Sequence, residues 1–597
     1  MTDVDSGSRP AGPEPEPFPA GVRLEDPSLV RAWTRGATAA LRRERDAIDR
    51  INVFPVADAD TGTNLYLTFR EGDRAVAGAP TGTTGTQLLA TLARAALLGA
   101  RGNSGVILSE WLRGLAVAVR RGAGTAEALT SAATSARSAV ARPAAGTILT
   151  AADAAAEAAR ALESSLEGAA PGAAADAGPL PIVTAAAAAA HTAARASRDE
   201  LDALRAAGVL DAGALGLVLV LDALAVAAAG GVSVADGSME AVNLDHLLAE
   251  VGTGTEASTE AGARQPVTDV SAATAATAPT DTGPHGVEAG AGGLELMFVL
   301  TAPASAGYET VAAGLRASLG EIGDSVVVVG GDAGTGTAVW QAHVHTDHLD
   351  RALTIAAEAA RAGALAQVHV RHLEAVPQHE WGVVAATSAP GLAAELAHAG
   401  AVVLLTGGLG STVVEPLTAD DVGRAAASTG ARRVLLLGAS DVGASDVGAS
   451  DVGASDVGAS DPGAGDTAQL DVDEIVVVPT PTDLHAVVAL AALGTLLPVG
   501  PPDGSAAHDV DARAIVDEAL AALTVVVARG AAATDALRDT AGPATMLATA
   551  LLDADVPDGL ADELAAVLAE RAPEAELVVL ATGRPGDGVH LGTEEDA

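Results

Sequence analysis

The hydrophobic period of the chain changes between residues 232 and 291, and this change constrains the fold more than any other feature of the sequence. From residue 27 to 232, apolar residues recur at three- and four-residue spacings, the pattern of a buried helical face. From residue 381 onward, short Val and Leu runs alternate with helical segments. The first pattern predicts an all-α bundle, and the second predicts a parallel α/β sheet.

Composition predicts the domain boundaries. Residues 250–290 contain almost no large apolar residue, so they cannot bury enough surface to offset chain entropy. Five copies of Gly-Ala-Ser-Asp within the C-terminal region have a period too short for a solenoid and predict a flexible acidic loop. The expected units are a disordered tail at 1–25, a helical domain at 27–232, a largely disordered linker at 233–290, a small split-βαβ domain at 291–378 and a C-terminal α/β domain at 381–597 with the repeat insertion at 438–466.

Charge and residue usage exclude several function classes. With 34 basic and 77 acidic residues, the net charge of −43 disfavours binding to nucleic acid or to an anionic membrane. No apolar run of about 18 residues predicts a membrane span, and the start of the chain lacks the basic and apolar stretches of a signal peptide, so we expect a cytoplasmic protein. The chain has no cysteine and no lysine, which excludes thiolate chemistry, Cys-ligated metals and a Walker A lysine.

The segment from Asn52 to Asn64 carries two carboxylates two residues apart, Asp58 and Asp60, followed by small hydrogen-bonding residues. Hard oxygen ligands of this kind suit Mg²⁺, and an irregular turn feeding a helix would aim both carboxylates at one point. A nucleotide phosphate bridged by Mg²⁺ would fit there. The alternative is that the two carboxylates cap a helix.

A second polar segment, Gly99 to Leu108, is a Gly-rich turn between two apolar helical runs. Helix N-termini with exposed N–H groups bind phosphate, and glycine lets the backbone approach the ligand closely. Because the chain lacks lysine, the charge of a triphosphate must be met by metal ions, helix N-termini and arginine. The two segments therefore predict complementary parts of one nucleotide site.

With these motifs the chain resembles the ATP-binding subunit of bacterial fatty acid kinase, whose N-terminal domain is similar to the L subunit of dihydroxyacetone kinase (DhaL) and whose C-terminal region is DegV-like. The pattern N-V-[FY]-P-V-P-D-G-D-T-G-T-N-M matches residues 52–65 except at Ala57, Ala59 and Leu65. The sequence G-A-R-G-N-S-G-V-I-L matches residues 99–108 without a change. Shorter motifs of the family resemble residues 146–150 and 208–213.

The resemblance implies a DhaL-like helical barrel that binds ATP with Mg²⁺, with Asp58 and Asp60 as catalytic, metal-binding carboxylates and Asn52 completing the set. Ala59 replaces a glycine of the family, and the metal site should survive unless that position needs a positive φ. The nucleotide and phosphate contacts implied are Thr61, Gly62, Thr63, Asn64, Asn103, Ser104, Gly105, Thr147, Asp211 and Gly213.

In the middle domain, His343 and His345 lie on a predicted strand, so both imidazoles point to the same face and could share a metal. The family has the same H-V-H-T sequence, and many relatives place a cysteine where this chain has Glu295. The resemblance thus suggests a Zn²⁺ site of Glu295, His343 and His345. The alternative is two histidines hydrogen-bonded within a sheet or a dimer interface.

In the C-terminal domain, a Gly-rich loop at 407–412 follows a predicted strand, where parallel α/β folds bind anionic ligands. The chain keeps only the two leading glycines of the loop found in the family, and the repeats replace a later polar loop. These departures concern the region that the resemblance assigns to partner recognition.

The function that the resemblance implies is an ATP-dependent kinase subunit, expected as a homodimer, that phosphorylates the carboxylate of a fatty acid presented by a separate DegV-type fatty-acid-binding protein. One alternative is a glycerone (dihydroxyacetone) kinase-like subunit. The other is a nucleotide-binding scaffold or regulator without kinase activity.

Overall fold

The computed structural model describes most of the 597-residue chain. The described residues are 23–56, 58–230, 242–252, 293–332, 336–361, 363–373, 380–407, 409, 413–438, 472–494 and 511–595. Most of the predicted tail and linker, and residues 439–466 of the repeat insertion, lie outside these ranges. The multidomain fold class is as predicted: a helical N-terminal domain is followed by mixed α/β domains.

The N-terminal domain is helical and encloses one apolar core. Its helices are α1 (Pro27–Arg50), α2 (Thr61–Gly78), α3 (Gly85–Leu98), α4 (Gly102–Arg120), α5 (Thr125–Ala139), α6 (Ile148–Ala169), α7 (Ala173–Ala177), α8 (Pro179–Glu200), α9 (Asp202–Ala207), α10 (Ala212–Ala228) and α11 (Asp245–Gly252). Helix α10 forms the centre, since 14 of its 17 residues are buried and it packs against α1, α6 and α8. The indole N–H of Trp33 in α1 donates to the carbonyl of Val220 in α10, at 3.0 Å.

The boundaries of this domain follow from local sequence, with one correction. Helix α1 begins where Asp26 accepts a hydrogen bond from the Ser28 N–H and Pro27 fills the first helical position. The linker predicted at 233–290 begins too early, because Val242, Leu244 and Leu247 are buried in the core of the helical domain. Three apolar side chains over six residues provide enough contact to dock the short helix α11.

The middle domain has the predicted βαββαβ order. Its elements are β1 (Leu294–Pro303), α12 (Tyr308–Gly320), β2 (Asp324–Asp332), β3 (Thr337–Thr346), α13 (Leu349–Ala359) and β4 (Ala364–His372). The strands lie antiparallel in the order β2-β3-β1-β4, so both central strands have a neighbour on each side. One face of the sheet packs on α12 and α13, and Met297, Val327 and Val329 on the other face join the core of the helical domain.

The sheet continues into the C-terminal domain. The next elements are β5 (Trp381–Thr387), α14 (Ala393–His398), β6 (Val402–Leu405), β7 (Val413–Val414), α15 (Ala419–Ser428), β8 (Arg433–Leu437), β9 (Glu474–Val477), α16 (Asp483–Ala492) and α17 (Ala512–Ala522). Strands β6, β5, β8 and β9 are parallel, as predicted. Because β4 also pairs with β6, one sheet crosses the expected boundary near residue 380.

The last strands form a separate sheet. They are β10 (Leu523–Arg529), β11 (Thr545–Leu552), β12 (Glu576–Ala581) and β13 (Gly588–Glu595), in the order β10-β13-β11-β12, with α18 (Ala532–Thr540) and α19 (Leu560–Arg571) alongside. The run 577–580, which the pattern assigned to the parallel sheet, lies here, because a short apolar run does not encode which sheet it joins. Among the described helices, none has the length and apolarity to cross a membrane.

Candidate functional site

Asp58 and Asp60 lie in the connection between α1 and α2, and the described contacts of their carboxylates are with other side chains. Asp60 precedes α2 without a capping hydrogen bond from its side chain. Oδ1 of Asp58 accepts a hydrogen bond from Nδ2 of Asn52, at 2.6 Å, and Oδ1 of Asn52 is buried without a hydrogen-bond partner. This geometry disfavours the helix-cap alternative and leaves an amide oxygen beside the carboxylate pair.

The cap of α2 is supplied by Asp49, a residue that the sequence reasoning missed. Its Oδ1 accepts hydrogen bonds from the N–H groups of Gly62 (2.6 Å) and Thr63 (3.0 Å), and its Oδ2 accepts one from the Thr63 hydroxyl (2.7 Å). Burial raises the pKa of Asp49 to about 7. The N–H groups of Gly62 and Thr63 are therefore hydrogen-bonded to Asp49, and these bonds hold the start of α2 in place.

The Gly-rich segment forms the start of α4 beside the acidic pair. Helix α4 begins at Gly102 without a side-chain cap, which leaves its first N–H groups free for an anion. Gly102 has φ +50, and a Cβ there would lie 2.4 Å from Nδ2 of Asn64, so glycine is required. The hydroxyl oxygens of Thr61 and Ser104 are 3.5 Å apart and connect the two motifs.

The register of the middle-domain sheet brings the second half of the site together. On β1, Glu295 lies between His345 of β3 and Arg371 of β4. Two residues along, Met297 has His343 of β3 and His369 of β4 as its neighbours. Because side chains alternate along a strand, these two rows point to the same face, which is the face against the helical domain.

Arg371 joins the two halves of the site. Its guanidinium donates two hydrogen bonds of 3.0 Å to the Glu295 carboxylate. Its NH2 group also donates to the carboxylate of Asp60 and lies 3.6 Å from Oδ2 of Asp58. The middle domain thus supplies a cation to the acidic pair of the helical domain, and the sequence patterns did not identify it.

The acidic pair requires positive charge. Burial and the neighbouring Asp60 raise the pKa of Asp58 well above its ordinary value, while Arg371 lowers it. Burial by itself would raise the pKa of Glu295, but Arg371 and His343 hold it below the ordinary range. Two close carboxylates that are costly to ionise together provide a strong binding site for a divalent cation.

Glu295, His343 and His345 are suited to a transition metal. One ligand atom from each lies within 4.8 Å of the others. Burial lowers the pKa of both histidines to about 4, so their rings are neutral at pH 7, the form that binds metals. Neither ring nitrogen of His343 has a hydrogen-bond partner, which is unlike histidines hydrogen-bonded within a sheet. The guanidinium of Arg371 competes for the same carboxylate.

Two adjacent cavities open at this junction. The smaller, of about 20 Å³, is lined by Asp58, Asp60, Glu295, His345 and Arg371 together with the two motifs of the helical domain. The larger, of about 480 Å³, shares residues with the smaller and lies between the helical domain and β2. The residues common to both are Pro55, Asn103 and Ser104.

The predicted nucleotide contacts divide between these cavities. Thr147 and Asp211 are the N-caps of α6 and α10, and burial raises the pKa of Asp211 to about 7. The smaller cavity is lined by Thr61, Asn64, Asn103 and Ser104. The larger is lined by Thr147, Asp211 and Gly213, together with Asn103 and Ser104. Neither cavity is lined by Gly62, Thr63 or Gly105. Gly105 instead allows close helix packing, since a Cβ there would lie 2.2 Å from the Thr68 hydroxyl.

Two segments of the chain match models of known domains. Residues 55–226 match the DAK2 domain, and residues 292–380 match the FakA-like middle domain, which is named after fatty acid kinase. The first segment contains the acidic pair and the start of α4, and the second contains Glu295, His343, His345 and Arg371. Both halves of the site thus lie in matched segments.

Individual relatives match over shorter stretches. Protein YloV of Bacillus subtilis (strain 168) is 41% identical over 117 residues, which are 19% of this chain and 21% of that protein. An uncharacterized protein of Staphylococcus saprophyticus is 39% identical over 117 residues, with the same two shares. The match thus spans about a fifth of the length of these relatives. A solved dihydroxyacetone kinase from C. freundii, in complex with AMP-PNP and Mg²⁺, aligns with 38% of this chain and 37% of its own at 20% identity and a TM-score of 0.26.

Proposed function

We propose that this chain is an ATP-dependent kinase subunit that transfers the γ-phosphoryl group to the carboxylate of a fatty acid presented by a separate acyl-binding protein. The observation that carries the proposal is the convergence of Asp58, Asp60, the N-terminus of α4 and Arg371 on one small cavity that adjoins a larger one. The domain matches support a kinase and favour a fatty acid as the acceptor.

The two cavities suit the two parts of a nucleotide. The larger cavity, at about 480 Å³, has the size of ordinary small-molecule sites, roughly 300–1,000 Å³, and is suited to the nucleoside. The terminal phosphates would lie where the larger cavity adjoins the smaller one, beside Asn103 and Ser104, with the α4 N-terminus and Arg371 near enough to meet their charge. Asp58, Asp60 and the free oxygen of Asn52 would hold Mg²⁺, which neutralises charge on the phosphates when bound.

The residues present suit this chemistry. Phosphoryl transfer depends mainly on positioning and charge neutralisation, and a fatty acid carboxylate is already ionised at neutral pH, so the acceptor needs no general base. Arg371 can stabilise charge that develops on the transferred group while Glu295 holds its guanidinium in place. The proposal includes a DegV-type acyl-binding partner, pairing of two chains, and a cytoplasmic location, where ATP is available.

The experiment that tests the proposal measures ADP release by the full chain with Mg-ATP. With a fatty acid loaded on a DegV-type protein we expect acyl-dependent ADP release, and without either component we expect none. Release with dihydroxyacetone alone would instead identify a glycerone kinase-like subunit. Nucleotide binding without release under any of these conditions would identify a scaffold.

The proposal extends to a Zn²⁺ ion on Glu295, His343 and His345. These residues present one carboxylate and two neutral imidazoles, a donor set that zinc prefers. Metal analysis of the purified chain should find about one zinc per chain, and His343→Ala should remove most of it. Equal zinc content in both proteins would place the zinc at another site, and no zinc in either would leave Arg371 as the group that neutralises Glu295.

A further inference from the structure

A third cavity lies where the helical, middle and C-terminal domains meet. Its volume is about 20 Å³, and its polar lining comprises Arg101, Gln341, Gln367, His369, Asp421 and Arg424. Arg101 belongs to the loop before α4, His369 to β4, and Arg424 to α15. The cavity shares no lining residue with the two cavities of the proposed kinase site.

Arg101 is buried in this cavity wall, and among the described residues its guanidinium has no ion-pair partner. The residue is 7% exposed, and its Nε has no hydrogen-bond partner. The negative charge of Glu71 stabilises the Arg101 cation electrostatically without contacting it, but Glu71 is itself paired with Arg70 and Arg74. Burial and the nearby Arg424 lower the pKa of Arg101 to about 9, so the side chain still carries its charge at neutral pH.

The other charges of the lining leave that of Arg101 uncompensated. Arg424 forms an ion pair with Asp421. His369 adds no negative charge in either protonation state, and its Nε2 has no hydrogen-bond partner. Two positive charges and one negative charge leave a net charge of +1 on the lining. Glu295, the acid beyond His369, is paired with Arg371.

A buried guanidinium without a partner is strongly unfavourable, and a counter-ion in the adjoining space would remove most of that cost. The space admits about one water-sized particle, which suits a halide and is too small for a phosphate. The N–H groups of two guanidiniums are the donors that an anion prefers.

We propose that this cavity binds one small monovalent anion of halide size, held between Arg101 and Arg424. The anion then connects the loop before α4 to the middle and C-terminal domains. Gln341 of β3 already donates a hydrogen bond to the carbonyl of Ala100 in that loop, at 3.1 Å. Occupancy stabilises the three-domain junction and is independent of nucleotide.

The test uses the full chain in sodium chloride and in sodium gluconate at equal ionic strength. Thermal unfolding should occur at least about 2 °C higher in chloride, because the ion binds the folded state. The ³⁵Cl resonance should broaden in the presence of the protein, and sodium bromide should reverse the broadening. Arg101→Met should lose both effects, while Arg94→Met, which changes an exposed arginine of α3, should keep them.

Two results would overturn the proposal. Equal unfolding temperatures in both salts without reversible broadening would leave water as the occupant of the cavity. Salt effects that persist in Arg101→Met would place the anion elsewhere. If Arg101→Met does not fold, Arg424→Met tests the same site, because it removes one guanidinium and frees Asp421 to neutralise Arg101.

Discussion

The two halves of the proposed site are encoded in different ways. In the helical domain, Asp58 and Asp60 are two residues apart, and the Gly-rich turn at the start of α4 is one short segment. In the middle domain, Glu295, His345 and Arg371 come from three strands and meet only because of strand register. Contiguous motifs can therefore be recognised in the sequence, whereas a site assembled by register becomes visible only once the strand pairing is known.

The two halves also differ in charge, and the proposed site needs charged groups from both. The helical half presents two carboxylates and a helix N-terminus, while the middle half presents Arg371, held by Glu295. Substitutions on the two sides should therefore reduce turnover by different amounts, and their effects should depend differently on Mg²⁺.

The largest effect is expected from the acidic pair. Asp58→Ala and Asp60→Ala should each reduce Mg-ATP turnover by more than about 100-fold, because each removes a carboxylate from the proposed metal and phosphoryl-transfer site. Initial rates of ADP release measure this, with circular dichroism to confirm folding. Asp176→Ala, at an exposed acid on α7, should leave turnover unchanged. Full activity in both site variants would exclude the acidic pair as the reacting centre.

Arg371→Gln should reduce turnover less, by about 10- to 100-fold, through loss of a charged hydrogen-bond donor beside the proposed phosphate site. The same change should lower the Mg²⁺ concentration for half-maximal binding, because it removes a cation that competes for Asp58 and Asp60. Titration with Mn²⁺ followed by electron paramagnetic resonance measures the affinity without turnover.

The matched control is Arg361→Gln, at a 74% exposed side chain that pairs with Glu358. It should change neither quantity. If Arg371→Gln weakens metal binding, Arg371 supports the metal site and does not compete with the metal.

The features that the sequence predicted are local in the chain, and those that it missed depend on contacts between distant segments. Helical periodicity and the capping residues at Asp26 and Pro27 predicted the helical domain closely, because both signals are local. The docking of β4 against β6 and the second sheet depend on pairing between distant strands, which short apolar runs do not specify. Asp49 and Arg371 were missed for a related reason: each acts on residues remote in the chain, and neither stands in a recognisable pattern.

The halves should also respond oppositely to pH. The buried carboxyl of Asp211 has a pKa of about 7, against about 4 in an unfolded chain, so its contribution to stability is present below pH 4 and is lost as pH rises through 7. Buried His369 has a pKa of about 4, against about 6.5 when unfolded, so its contribution is lost as pH falls from 6.5 through 4.

Differences in the free energy of unfolding between variant and wild type, measured by denaturant unfolding from pH 4 to 8, test these signs. For Asp211→Asn the difference should grow in favour of the variant as pH rises from 4 to 7, by at most about 4 kcal/mol. For His369→Gln it should grow in favour of the variant as pH falls from 6.5 to 4. If the difference in unfolding free energy changed with pH in the same direction for both variants, one of the two groups would be solvated and not buried.

The smallest expected effect concerns Ala59, where the helical half departs from the glycine of the resembling family. Ala59 has φ +53, in the left-handed region that costs a non-glycine residue about 1 kcal/mol or more. Ala59→Gly removes this strain but adds freedom to the unfolded chain, so the net gain in unfolding free energy should be at most about 1 kcal/mol. Ala170→Gly is the matched control: this exposed alanine has φ −157, and the change there should destabilise the chain. Denaturant unfolding of both variants decides the sign, and destabilisation by Ala59→Gly would contradict the left-handed conformation between the two carboxylates.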